Sequence, residues 1–369
     1  MSKQNPDKDL SARAGASGIQ KVLRHRLFFP LLCLALVLLA NVAKTPNFFA
    51  VSINNGVLYG YIVDVVNRAS ELVILAIGMT LATAASGGQD ISVGAVMAVS
   101  AAVCCQILSG GEVSVTSFQN PLVLAVSASL AASALCGAFN GFLVARLRIQ
   151  PMVATLILFT AGRGVAQLIT AGQITYIRVS AYKTAGGYIP GVPIPVPIFF
   201  AIGTAVIVAL LLRFTALRLF VEAAGVNSSA ARLVGLGSAR VVFVTYVICG
   251  FLAGLAGFVA SSRIYSADAN NIGLYLEMDA ILAVALGGNI LGGGRFSLAG
   301  SVIGAFTIQS LSTTLYAMNI SADQLPVYKA AAVIAIITLQ SDVFRGFIRN
   351  PRIKNITGSI VFSKKETQT

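Results

Sequence analysis

Long apolar stretches recur from residue 27 to residue 343, and Lys and Arg are almost entirely kept out of them. A chain patterned in this way has too little polar surface to cover itself in water. Only 11% of its 369 residues are charged and 56% are hydrophobic, with a mean hydropathy of +0.84. A soluble domain carries about 25% charged residues. Lipid is the natural solvent for such a sequence, and a helical crossing there takes roughly 20 mainly apolar residues.

Ten candidate spans follow, near 27–44, 69–87, 91–109, 121–145, 151–171, 195–213, 241–261, 278–292, 297–316 and 326–343. The expected fold is an all-α polytopic membrane protein with about ten transmembrane helices. Residues 1–26 and 344–369 are expected to be basic cytoplasmic tails around a transmembrane domain over 27–343. With the N-terminus inside and the spans alternating, 19 basic residues fall on the inner side and six on the outer, while Arg163 stays within a span. Cytoplasmic loops concentrate Lys and Arg, so both termini are expected in the cytoplasm.

The same distribution argues against nucleic acid as the reason for the net charge of +13. The basic residues sit in tails and short connections, and no basic stripe with interleaved aromatics appears. Cys33, Cys104, Cys105, Cys136 and Cys249 all lie in apolar runs without metal-ligand spacing, and are expected to be buried, inert thiols. The one histidine, His25, lies in the basic tail. No metal site is expected. The run from Leu27 to Ala43 lacks a small-residue cleavage site and reads as a first span.

Gly-Gly-Gln-Asp-Ile-Ser-Val-Gly, Gly87 to Gly94, breaks one apolar stretch and opens another. Gly287-Gly288-Asn289-Ile290, followed by Gly292-Gly293-Gly294-Arg295, does the same two hundred residues later. Both breaks follow an outward-to-inward span, which suggests two parallel pseudo-repeats, and paired glycine-interrupted segments point to a transport pathway. Asp90 is costly inside a membrane unless it caps the following helix. Arg163 must face the bundle interior, water or a partner. It can donate to ligand hydroxyls, or pair with Asp64, Glu71 or Asp279. Asn140, Thr155, Gln167 and Asn289 add neutral polar groups that suit either a hydroxyl-rich ligand or interhelical hydrogen bonds. These six, Asp90, Asn140, Thr155, Arg163, Gln167 and Asn289, are the candidate pathway residues.

Two loops stand out. The connection over about 172–194 is rich in Gly, Pro and Tyr and reads as an external loop. The inner connection over about 213–240 contains Glu222-Ala223-Ala224-Gly225-Val226-Asn227-Ser228-Ser229-Ala230-Ala231-Arg232. Asn227 or Ser228 can cap a helix of about two turns that Gly235 ends in the left-handed conformation. Such a helix, with small residues on its surface, suits either a groove on a cytoplasmic partner or its own spans. Glu222, Ala223, Gly225, Asn227, Ala230, Ala231 and Arg232 are the candidate contact residues. Asp268, Asn270, Asn271, Tyr275, Glu277 and Asp279, with Asp64 and Glu71, suggest an acidic outer rim for a basic extracellular partner or a solvated surface.

These motifs resemble those of ABC-importer permeases for simple sugars, the ribose, xylose and galactose type. Gly87 to Gly94 resembles the family's signature, Ala224 to Arg232 its ATPase-facing loop, and Gly287 to Arg295 its late glycine motif. The segments from Gln150 to Gln173 and from Ala267 to Val284 are similar to the galactofuranose branch. Gln89 and Asn289 depart from the family pattern. The resemblance implies a permease subunit in a bacterial inner membrane that imports a galactofuranose- or galactose-like monosaccharide. It implies no enzyme activity or cofactor in this chain, with ATP and Mg held by a separate ATPase subunit, possibly two-headed. It also implies a periplasmic sugar-binding protein and a second permease, either a related chain or another copy. The absence of a Walker A loop agrees with a separate ATPase. The alternatives are a secondary sugar or solute transporter working without an ATPase, with Asp90 as its coupling carboxylate, and an intramembrane enzyme acting on lipid-linked substrates.

Overall fold

Pro151 opens one helix at the position whose N–H has no intrahelical acceptor, and Gly87 ends another with φ +72° while donating to the Thr83 carbonyl. Between such local signals, the computed structural model describes residues 27–44, 47–54, 56–321 and 323–340. The tails expected at 1–26 and 344–369 lie outside the described residues.

The described chain is mostly helical. It begins with α1 (Phe28–Lys44) and a small hairpin of β1 (Ser52–Asn54) and β2 (Val57–Tyr59). Then come α2 (Tyr61–Ser86), α3 (Val93–Ser109), β3 (Ser114–Val115), α4 (Leu122–Ala145) and α5 (Pro151–Ile169). Strand β4 (Thr175–Ile177) and α6 (Ser180–Gly186) lead to α7 (Val196–Phe214). Two short helices, α8 (Leu217–Val226) and α9 (Ser228–Leu233), precede the long α10 (Ser238–Ile264). Last are β5 (Ser266–Ala267), α11 (Leu276–Leu286), α12 (Leu298–Ala317) and α13 (Leu325–Gln340).

A helix lies at each of the ten expected places. Six described helices, α2, α4, α5, α7, α10 and α12, are long and apolar enough to cross a membrane by themselves. The shorter α1 and α3 are also apolar, as is α13 over Leu325–Ile334. The expected span at 278–292 differs. Its helix, α11, has 11 residues, about 16 Å at 1.5 Å per residue, or roughly half the hydrocarbon thickness. The residues just before it, 268–275, form turns rather than helix.

Helices α2 and α3 are buried on nearly every side. Helix α10 packs against both and against α4. It approaches α4 closely because Gly250 and Gly137 face each other; a Cβ on Gly137 would sit 3.0 Å from the Gly250 Cα. Lipid supplies no hydrophobic drive between helices, so small residues that let backbones approach closely gain the dispersion contact that holds them together. Buried polar groups add cross-links. Thr314 Oγ1 donates to Asn41 Oδ1 at 2.6 Å between α12 and α1, and Ser100 Oγ donates to the Gly254 carbonyl at 2.8 Å between α3 and α10. Leu135, Leu168 and Ile207 on α4, α5 and α7 project outward, where lipid tails accept them.

At one end of the bundle β4 pairs parallel with β3 and antiparallel with β5. The 172–194 connection, read as a loop from its Gly and Pro, therefore holds a strand and the seven-residue α6. No Gly or Pro falls between Arg178 and Ala185, and α6 is anchored by Tyr182, which is fully buried with its hydroxyl 2.7 Å from Ser261 Oγ.

Candidate functional site

The two glycine breaks, two hundred residues apart in sequence, lie against each other. Gly294 N donates to the Ala84 carbonyl at 2.9 Å, and Gln89 Nε2 reaches the Leu291 carbonyl at 3.5 Å. A Cβ on Gly87 would sit 2.9 Å from the Gly292 oxygen and one on Gly293 2.9 Å from the Gly87 Cα, so both segments need glycine to meet.

Asp90, Asn140 and Thr155 gather at the first break. Asp90 Oδ1 accepts from Ser92 N at 2.9 Å, from Ser92 Oγ at 2.6 Å and from Asn140 Nδ2 at 3.5 Å. Asn140 Nδ2 also donates to Ser92 Oγ at 2.7 Å, and Thr155 Oγ1 accepts from Ile91 N at 3.2 Å. Asp90 was expected as the helix cap. It instead stands two residues ahead of Ser92, the N-cap of α3, and ties the extended approach to that helix in an Asx-type turn. A carboxylate near a helix start is stabilised by the positive end of the helix dipole. The start of α11 meets the start of α3 nearby, because Gly94 leaves no room for a Cβ beside the Gly273 carbonyl and Glu277. Glu277 is only 1% exposed.

Arg163 and Gln167 act elsewhere. Arg163 donates through one terminal nitrogen to the carbonyls of Ala269, Asn270 and Ile272 at 3.0–3.2 Å. Gln167 donates to Asn270 Oδ1. Together they clasp the turns that precede α11. The expected ion pairs of Arg163 do not form, because each proposed carboxylate has another partner. Asp64 pairs with Arg68 at 3.7 Å, Glu71 with Arg263 at 3.3 Å and Asp279 with Lys329 at 2.6 Å. The expected acidic rim is only partly open: Glu71, Glu277 and Asp279 are buried, whereas Asp64, Asn270, Asn271 and Tyr275 are exposed. Asn289 closes the second break: its Oδ1 accepts from Ser297 N at 2.7 Å and its Nδ2 donates to Ser301 Oγ at 2.8 Å.

The 213–240 connection forms α8 and α9. Asn227 Oδ1 accepts from Ser229 N at 3.1 Å and Ala230 N at 2.9 Å, capping α9 as its chemistry implies. Gly235 follows the helix with φ +85°. Glu222 pairs with Arg218 one turn back at 3.1 Å. Ala223 is half-buried, and Ala230 and Arg232 are exposed, whereas Ala231 is buried. Gly225 faces inward: a Cβ there would collide with the Ala84 carbonyl and lie 2.5 Å from Gly294 N. The loop thus seats directly on both glycine breaks. Leu233 and Val234, 89% and 82% exposed, form its apolar tip. They were not among the candidate contact residues, although two adjacent apolar side chains in a loop expected to face water were a readable signal.

At the opposite end of the bundle a cleft of about 790 Å³ opens between α2, α11, α12, α13 and the end of α10. Asn271 and Leu274, from the turns before α11, line it. None of the six pathway candidates lines it. Its charged groups are Arg68, Arg263 and Lys329 against Glu71, Asp279 and Asp323. Among the described residues, no group of three His, Cys, Asp or Glu side chains is placed to hold a metal ion.

Residues 61–340 match the family described as the permease component of a branched-chain amino acid transport system. The chain belongs to this permease family. It is 43% identical to the galactofuranose transporter permease of Escherichia coli K12 over 89% of this chain and 93% of the relative. It is 34% identical to a fructose import permease of Bifidobacterium longum, covering 95% and 96% of the two chains. The ribose import permease of Escherichia coli K12 is also 34% identical, over 83% of this chain and 91% of the relative. No solved structure matches the chain. With its apolar helices, the family makes this a multi-pass membrane permease similar to sugar importers.

Proposed function

We propose that this chain is a transmembrane permease subunit of an ABC importer, carrying a galactofuranose- or galactose-like monosaccharide into the cytoplasm across a bacterial inner membrane. In this reading it has about ten crossings and cytoplasmic termini, and the α8–α9 loop faces the cytoplasm. A separate ATPase subunit, possibly two-headed, holds ATP and Mg. A periplasmic binding protein delivers the sugar, and a second permease, related or identical, completes the path.

The observation that carries the reading is the seat of Gly225 on Ala84 and Gly294. It joins an exposed apolar loop tip to the two breaks that interrupt the bundle. ATP binding can shift the permease only through contacts that differ between its states. A loop seated on both breaks is the mechanical route for such a difference. The 43% identity with a galactofuranose transporter permease supports the substrate class.

Ala230 is exposed and free of the seat, so Ala230→Arg tests the docking role cleanly. The assembled importer carrying this variant is expected to keep its thermal stability and to lose sugar-driven ATP hydrolysis together with uptake. Uptake at the wild-type rate would remove the docking role from this loop. Ala231→Arg is a poorer probe, because Ala231 is buried and the loop itself would be disturbed.

A further inference from the structure

The outer cleft holds polar atoms that the protein leaves unused. Glu71 and Arg263 both line it. Glu71 Oε1 lies 3.3 Å from an Arg263 terminal nitrogen, close enough for charge pairing but not aligned as a hydrogen bond. Arg263 Nη2 is directed to Asn67 instead, at 3.0 Å to its carbonyl. Neither Glu71 Oε1 nor Arg263 Nε, both buried, has a hydrogen-bond partner among the described residues. Leaving a buried polar atom unpaired costs roughly 1–3 kcal/mol, more for a charged group. Both atoms are closed off in this conformation, so the two side chains must turn toward the cleft to be used; a group that then satisfies both must donate to a carboxylate and accept from a guanidinium. A hydroxyl does both.

Two further features narrow the ligand. The cleft balances three cations against three carboxylates, so it favours no net charge. Its volume of about 790 Å³ falls in the roughly 300–1,000 Å³ range of small-molecule pockets. Tyr275 and Tyr316 line it, as do the neutral side chains of Gln309 and Ser312. Aromatic rings offer flat apolar faces to the C–H face of a sugar ring while their hydroxyls stay polar.

We propose that this cleft is an outward-facing binding site for a neutral monosaccharide, held by hydroxyls between Glu71 and Arg263. This rests on the importer reading, but it assigns the sugar a site on this chain itself.

The test is equilibrium binding of labelled D-galactose, D-ribose and D-fructose to the full chain in lipid vesicles. ATP-driven uptake by the assembled importer is measured beside it. At least one sugar should bind, and the corresponding sugar acid should bind at least about tenfold more weakly, or about 1.4 kcal/mol. Glu71→Gln and Gln309→Leu should each weaken binding about fivefold to tenfold. As a check that avoids the ion pair, Tyr316→Cys, at a cleft-lining position that is exposed, should react with a membrane-impermeant maleimide and be protected by saturating sugar. Absence of binding by all three sugars, or wild-type affinity in both variants, overturns the site. So does a Tyr316→Cys labelling rate that sugar leaves unchanged. If the assembled importer still takes up sugar in those cases, the importer reading survives; if wild-type uptake is absent as well, that reading has failed too.

Discussion

The break around Asp90 and the cleft at the other end of the bundle both bring carboxylates into the bundle, and they treat them in opposite ways. At the break, one Asp90 oxygen collects donors from Ser92 and Asn140, and the surrounding glycines admit no added side chain. In the cleft, Glu71 Oε1 and Arg263 Nε lack hydrogen-bond partners beside an open volume, although Glu71 stays ion-paired with Arg263. The break is not fully satisfied either, since Asn140 Oδ1 has no partner there, but it is packed shut, whereas the unpaired groups of the cleft stand beside room for a ligand. The cleft is itself divided, because Lys329 and Asp279 do form a short charged hydrogen bond at 2.6 Å.

That contrast can be broken by substitution. Lys329→Met leaves Asp279 buried without its cation and is expected to cost about 3–5 kcal/mol, read as a lowered unfolding midpoint in detergent. A negligible change would mean that this pair is as loose as Glu71 with Arg263. Asp90→Ala removes the acceptor of three buried donors and should cost about 2–3 kcal/mol, with Asp90→Asn milder; the same thermal measurement checks both. Gly225→Ala forces a methyl group onto the Ala84 carbonyl and should cost about 1–3 kcal/mol while slowing uptake, and unimpaired stability would unseat the loop from the breaks. Gln309→Leu, in the open cleft, should change stability by no more than about 0.5 kcal/mol. A large loss there would make the cleft wall a packing element.

Local chemistry was the legible part of this chain. Apolar runs placed a helix at each expected span, and the Asn227 cap and the left-handed Gly235 followed from side-chain and backbone preferences that need no tertiary context. The half-length α11 was less readable. Its apolar run continues to the glycines at 287–288, while its start is set by turns that Arg163 holds from another helix. The partners of Arg163 were misread for the same reason, since three backbone carbonyls carry no sequence signature. The cleft was invisible because it unites residues from 68 to 334, on helices whose adjacency only the fold supplies. Intramembrane polar residues draw attention in a sequence, yet Asn289 and Asp90 spend their hydrogen bonds on the backbone and side chains of the breaks themselves.

The central claim is that this chain imports sugar only when an ATPase drives it. The direct measurement is uptake of labelled D-galactose into proteoliposomes containing the chain with the ATPase and binding protein proposed for it, compared with the chain alone. Accumulation that requires ATP and every component is the expected result. Accumulation by the chain alone, without ATP, would contradict it and favour a secondary transporter.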